Sequence, residues 1–491
     1  MNCQQSGFRC LQLAAVIALG YGAATGLSAQ EFDLPPAPIS QAPPLTDGDR
    51  AADAKDEPET PDDAATEQGT GDKATGGPSI LDLDIEQLVQ VPAKIPTSFD
   101  VEVTTVTAHE STVGKSPAAV FVITNEMIRR SGATSVPECF RMVPGLQVAK
   151  IGPSKWAISS RGFNSEFVQK LLVLVDGRSV YSPFFAGVYW ETQDLVLQDI
   201  ERIEVIRGPG ATIWGANAVN GVINIITKTA GETQGALVSA GGGDQDRTVN
   251  SVRFGGKLGE NTQYRVYARQ FDRAAGYNPL GVNDAWNQTR GGFRIDGANP
   301  DENDTFTLQG DIFGGVIGET SELPVPVFPF YAAMSQSNPL GGGNLLGRWT
   351  RVIDDENTWS LQAFFDRSER KDVDFDFAIN TYDLEFRQFL KHSDTHMFTW
   401  GAGYRVTSDD MRGSRPNVSV PPESLVWDQA SLFVQEEMPI FRDDLKLIVG
   451  SKFLYYYFTG FEYQPSARMR PLKKWQCLKC EFGINWRGGE T

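Results

Sequence analysis

From Ser116 to Thr227 the chain carries short, unbroken apolar runs set off by Gly, Pro and Asn, whereas after Gly235 apolar and polar residues alternate. The first texture suits a compact α+β domain, a small mixed sheet with short helices. Leu171 to Val175 is a continuous apolar run ended by Asp176-Gly177, and it predicts a strand buried on both faces that turns into a hairpin. Val120 to Ile123, Ile203 to Ile206 and Val222 to Ile226 predict further strands, the last two bracketing a glycine-rich stretch. Ser135-Val136-Pro137-Glu138 has the form of a capping box with proline in the first turn, so a short helix is expected there, ending before Pro144-Gly145.

The second texture has a period of two. In Phe398-Thr399-Trp400-Gly401-Ala402-Gly403-Tyr404-Arg405 the apolar side chains fall on alternate residues, so one face suits lipid and the other water. Tyr264 to Arg269, Thr305 to Asp311, Trp359 to Asp366, Ser431 to Gln435 and Leu445 to Phe453 repeat the idea. A soluble sandwich alternates likewise, but Phe453 to Phe458, with three tyrosines in a row, fits the aromatic girdle of membrane strands. From Gly235 to Tyr463 about eleven or twelve such strands fit, at one per ~10 residues plus turns. The fold expected is therefore an α+β domain followed by antiparallel transmembrane β-barrel strands.

Ahead of both lies a different composition. Arg9, the apolar run from Leu11 to Leu19 and Leu27-Ser28-Ala29 read as a secretory signal over 1–29, too short to span a bilayer. Residues 30–80 hold twelve Asp or Glu against three Lys or Arg, eight prolines and one aromatic residue, the signature of a disordered acidic spacer. This leader carries half of the net charge of -18, and the acidic balance excludes nucleic acid as a partner. Once Cys3 and Cys10 leave with the signal, Cys139, Cys477 and Cys480 remain, which make no disulfide framework. Cys477 and Cys480 lack a second pair, and His392 and His396 fall in a turn and strand, so no metal site is expected. Nor is a cofactor or catalytic constellation: Gly208, Gly210, Gly215 and Gly221 are not followed by the lysine of a phosphate-binding loop, and no nucleophile elbow exists.

The run Ile200-Glu201-Arg202-Ile203-Glu204-Val205-Ile206-Arg207-Gly208-Pro209, followed by Trp214-Gly215-Ala216-Asn217-Ala218-Val219-Asn220-Gly221-Val222-Ile223-Asn224-Ile225-Ile226-Thr227-Lys228, resembles the plug signature of TonB-dependent receptors. Ser116-Pro117-Ala118-Ala119-Val120, Val143-Pro144-Gly145-Leu146, Ser160-Arg161-Gly162-Phe163 and Leu172-Val173-Leu174-Val175-Asp176-Gly177 precede it in the family's order. The resemblance implies a plug over 116–230 and a partial outer-membrane barrel over 235–468, in a bacterial receptor of the siderophore, cobalamin or colicin group. It also implies that Arg161, Glu201, Arg202, Glu204 and Arg207 lie at the plug–barrel boundary. Within the 81–115 segment, Glu102-Val103-Thr104-Thr105-Val106-Thr107-Ala108 resembles a TonB box, an extended β-branched stretch able to add a strand to the periplasmic coupling protein.

The function this implies is import of an extracellular small molecule or chelate by a monomeric outer-membrane barrel in contact with lipid and TonB, with no covalent chemistry. The alternative is a vestigial plug-containing interaction protein without transport. The resembled barrels use about 22 strands, so the strands counted here are expected not to close around a plug. Residues 469–491 turn basic, gain both late cysteines and depart from the resemblance, which reads as a frameshifted or early-ended tail.

Overall fold

The computed structural model describes residues 102–103, 105, 111–112, 116, 118–471 and 480–483, with breaks at 163, 168–169, 183–185, 209–210, 216, 278–282, 329, 373–374, 394–395, 414–419 and 441–444. The signal, the acidic leader and most of the 81–115 segment and the late tail lie outside the described residues. Among the described residues no helix is long and apolar enough to cross a membrane.

The chain enters with a two-residue ladder, β1 (Glu102–Val103) against β2 (Ser111–Thr112). β3 (Val120–Thr124) leads into α1 (Asn125–Ser131), capped by the Thr124 hydroxyl on the Met127 amide and closed by Gly132 in the left-handed region. α2 (Val136–Cys139) follows, extended by a 3-10 turn at Phe140–Met142 and ended at Pro144-Gly145. The helix stands where the sequence placed it, but the capping box does not close. The Ser135 hydroxyl makes no cap hydrogen bond, and Glu138 accepts from the Thr134 amide at 3.0 Å instead of from Ser135.

β4 (Leu146–Lys150) and β5 (Trp156–Ser160) form a separate ribbon. β6 (Leu171–Val175), β7 (Arg178–Ser179), β8 (Ile200–Arg207) and β9 (Gly221–Thr227) join β3 in a mixed sheet ordered β3-β8-β9-β6-β7, and α3 (Ala211–Trp214) precedes β9. β6 and β9 are parallel and the other pairs antiparallel. The unbroken apolar run of β6 now has its reason. Leu171, Val173 and Val175 pack into a core with Ile123, Phe140, Trp156 and Ile203, while Leu172 and Leu174 pack on the opposite face with Ile206 and Val222. Each such side chain contributes roughly 1.5–3 kcal/mol by leaving water. Asp176 (φ 50°) and Gly177 (φ 84°) make the two-residue turn into β7, as the dipeptide predicted.

A second, antiparallel sheet runs in strict chain order. Its strands are β10 (Gly235–Gly241), β11 (Asp246–Lys257), β12 (Thr262–Arg273), β13 (Trp286–Ala298), β14 (Asp304–Pro324), β15 (Tyr331–Asp354) and β16 (Asn357–Lys371). β17 (Phe375–Lys391), β18 (Met397–Gly413), β19 (Ser424–Ile440), β20 (Leu445–Tyr456), β21 (Gly460–Pro471) and the short β22 (Cys480–Gly483) complete it. Twelve strands thus lie between Gly235 and Pro471, in line with the count from alternation. The order is linear, so the sheet is not closed among the described residues. The two faces separate as the period of two requires: Phe254, Val266, Leu308, Ile312, Leu384 and Tyr404 are exposed, whereas Arg265, Arg269, Arg273, Arg290 and Arg294 are buried against the first domain.

Candidate functional site

The inner face of the sheet meets the α+β domain through charged and polar side chains, most of them buried. The β6–β7 turn is the hub. Asp176 accepts through its carboxylate from the Thr227 amide (2.8 Å) and hydroxyl (2.9 Å) and from Gln309 Nε2 on β14 (2.9 Å), and Arg348 on β15 donates to its carbonyl. Gln362 on β16 donates to the Gly177 carbonyl at 3.3 Å and accepts from Arg348 Nε at 3.0 Å. One residue on, Arg178 pairs with Asp366 of β16.

The arginines of β11, β12 and β13 continue the seam. Arg253 pairs with Asp199, and Arg265 donates to the Lys228 carbonyl at 2.7 Å. Arg269 pairs with Asp194 at 2.5 Å, both 4 % exposed, and donates to the Thr134 carbonyl. Arg294 donates to the Thr227 hydroxyl at 2.9 Å. Further along, Arg370 pairs with Glu191 at 2.5 Å; burial raises the Glu191 pKa, and the neighbouring guanidinium works against that. Buried pairs of this kind add little net stability, because desolvation offsets attraction, but losing one partner is costly. They fix where the domain sits.

The segment ahead of β3 packs on the same domain, where Thr105 shares a crevice with Asp176, Arg348 and Gln362. Val103 and Thr105 are 0 % and 1 % exposed. Glu204 of β8, itself 0 % exposed, accepts from the Thr105 amide at 2.9 Å and from its hydroxyl at 2.6 Å. Trp214 Nε1 donates to the Thr105 carbonyl at 2.8 Å, and Asn224 Nδ2 to its hydroxyl at 3.0 Å. Every polar group of Thr105 is thereby matched. Arg202 Nε holds the second Glu204 oxygen at 2.9 Å. The Trp214 ring lies under the Arg387 guanidinium of β17, 4.9 Å from its centroid, so the cradle touches the sheet wall.

Of the seven residues read as a TonB box, Glu102 pairs with Thr112 and Val103 with Ser111, Thr105 is held as above, and Thr104, Val106, Thr107 and Ala108 lie outside the described residues. The five charged residues expected at the plug–barrel boundary form bonds inside the domain: Glu201 and Glu204 with Arg202, Arg207 to the Pro144 carbonyl (2.6 Å), and Arg161 to the Arg207 carbonyl (3.3 Å). Arg202 also lines a crevice of about 440 Å3 shared with Arg348, Gln362 and Arg387 of the sheet. The direct bonds to the sheet begin elsewhere, at Asp176, Arg178, Glu191, Asp194 and Asp199. A signal for the sheet side was present: Arg265, Arg269 and Arg273, like Arg290 and Arg294, recur every fourth residue and so share one strand face.

Above the β6–β7 hairpin a second cavity, of about 280 Å3, opens between the domain and β16 to β21. Tyr181, Ser182 and Tyr189 line it from one side and Phe377, Trp427 and Tyr456 from the other.

Residues 112–222 match the family model of the TonB-dependent receptor plug domain. The chain thus carries a TonB-dependent receptor plug, set against a large antiparallel sheet in the fold of that receptor class. It is 33 % identical over 198 residues to the vitamin B12 transporter BtuB of Vibrio cholerae serotype O1, which is 40 % of this chain and 31 % of that protein. With BtuB of Photobacterium profundum the identity is 34 % over 173 residues, 35 % of this chain and 28 % of the relative. Among solved structures, the ferric enterobactin receptor PfeA of Pseudomonas aeruginosa superposes with a TM-score of 0.58 at 17 % identity, covering 72 % of this chain and 60 % of that one. The ferripyoverdine receptor of the same species gives 0.58 at 14 % identity, over 75 % and 57 %. The matched segments therefore span about a third of the curated relatives' length.

Proposed function

We propose that the protein is a bacterial outer-membrane receptor that binds an extracellular ligand, cobalamin-like or siderophore-like, between plug and barrel wall and imports it with energy delivered through TonB. The capture of Thr105 carries this reading. A stretch meant only as linker has no need of three side chains, two of them buried, matched to one residue. A stretch that must be held and then surrendered does, and hydrogen bonds exchange readily for water once the cradle opens. Ligand binding releases the segment only to the extent that it favours the open plug over the closed one. In this reading Glu204 and Arg202 hold the coupling segment, while Glu201, Arg161 and Arg207 brace the loops around it.

The test is uptake set against binding. In an intact-length version, Val103→Pro and Thr105→Pro each remove a main-chain donor needed for strand addition to TonB, and the expected result is loss of energised uptake with ligand affinity within about twofold of wild type. Normal uptake by both variants moves the coupling segment elsewhere, to residues 82–89 first.

A further inference from the structure

The cavity above the β6–β7 hairpin has a lining from which ligand chemistry can be read. Aromatic side chains come from both walls, Tyr189 stacking on Phe377 with centroids 5.6 Å apart and planes 29° apart, and Trp427 and Tyr456 lining the cavity beside them. Four charged residues reach it, and all are engaged: Asp366 with Arg178, Arg405 with Asp383 at 2.8 Å, Glu462 with the Thr459 hydroxyl at 2.6 Å, and Lys170 in a contact of its own. What remains polar is hydroxyl and amide, from Ser182, Asn217, Thr381 and Gln429. The Ser182 hydroxyl oxygen is buried and has no hydrogen-bond partner among the described residues.

We propose that this cavity takes a ligand without net charge, one that presents hydroxyl or amide groups around an apolar face. The proposal rests on the receptor reading above. An anionic chelate would have to draw Arg405 away from Asp383, leaving a largely buried carboxylate uncompensated. A neutral ligand breaks no pair. Its apolar face lies against the rings, and its hydroxyls or amides meet groups that donate or accept by rotation. At about 280 Å3 the cavity is just below the range of small-molecule pockets, so it seats a part of the ligand the size of one or two rings, and a larger ligand extends outward.

The 491-residue chain in detergent is titrated calorimetrically with a neutral corrinoid, a neutral ferric trihydroxamate, a neutral maltooligosaccharide and an anionic ferric triscatecholate, at about 50 and about 500 mM salt. The expected result is that an uncharged probe binds most tightly, with a Kd that moves less than about twofold between the two salts. Trp427→Ala then weakens that probe at least about tenfold, and Trp427→Phe, which keeps a ring, less than about threefold. Tightest binding by the triscatecholate, falling more than about tenfold with salt, overturns the neutral class and leaves the receptor reading standing. Failure of all four probes to bind overturns both.

Discussion

Thr105→Val isolates the hydroxyl that holds the segment around Thr105 against β8. Valine keeps the shape, the main-chain amide still reaches Glu204, and Trp214 still reaches the carbonyl. What goes is the 2.6 Å bond from the Thr105 hydroxyl to a buried carboxylate, and with it the acceptor for the Asn224 amide. A hydrogen bond to a charged group contributes ~1.5–3 kcal/mol, and an unsatisfied buried donor costs a further ~1–3. The freed segment takes water in exchange, so the net shift toward the undocked state is about 2 to 4 kcal/mol, or roughly 30- to 1,000-fold. Amide hydrogen exchange read by mass spectrometry on peptides spanning residues 100–110 reports the docked fraction directly. Protection in wild type that drops at least about 30-fold in the variant, with plug-core peptides unchanged, is the expected result. Protection that is unaltered, or already absent in wild type, refutes the cradle.

Other perturbations follow from the same geometry. Gly177→Ala puts a Cβ 2.9 Å from Arg348 Nη2 at φ +84°, whereas Gly132→Ala, at φ +72°, meets nothing within 4 Å. In denaturant melts the second should cost the ~1–2 kcal/mol of left-handed backbone alone and the first clearly more. Arg178→Met leaves Asp366 uncompensated and should cost about 2 kcal/mol, below the ~3–5 of a fully buried pair because 28 % of the Asp366 side chain is exposed. Adding Asp366→Leu should recover most of that loss in the same melts. Burial pushes the Cys139 thiol up to about 12, so its pKa is higher folded than unfolded. Its contribution to stability is then complete below the ordinary thiol pKa of ~8.5 and fades as pH rises toward 12. Peptide mapping after maleimide treatment at about pH 8 should find Cys139 unlabelled until the plug unfolds.

The sequence by itself determined whatever depends on neighbours along the chain. The apolar run at Leu171 to Val175 required a strand covered on both faces, Asp176-Gly177 required a turn with positive φ, and alternation after Gly235 required strands with one apolar and one polar face. The number of strands after Gly235 followed from those short-range patterns, which are properties of the backbone period. Long-range pairing was not legible in the same way. Glu204 alternates with apolar residues as a solvent-facing charge does, yet it is fully buried because Thr105, 99 residues earlier, folds over it. Asp176 looked like a turn residue and is also where β14 and β15 grip the plug. Even Glu138, in a motif with a local partner, turns to Thr134, whose carbonyl and hydroxyl are held by Arg269 and Asp246 of the sheet. In each case the partner is chosen by strand register and by the seating of one sheet in the other, and only the folded chain brings those atoms within hydrogen-bonding distance.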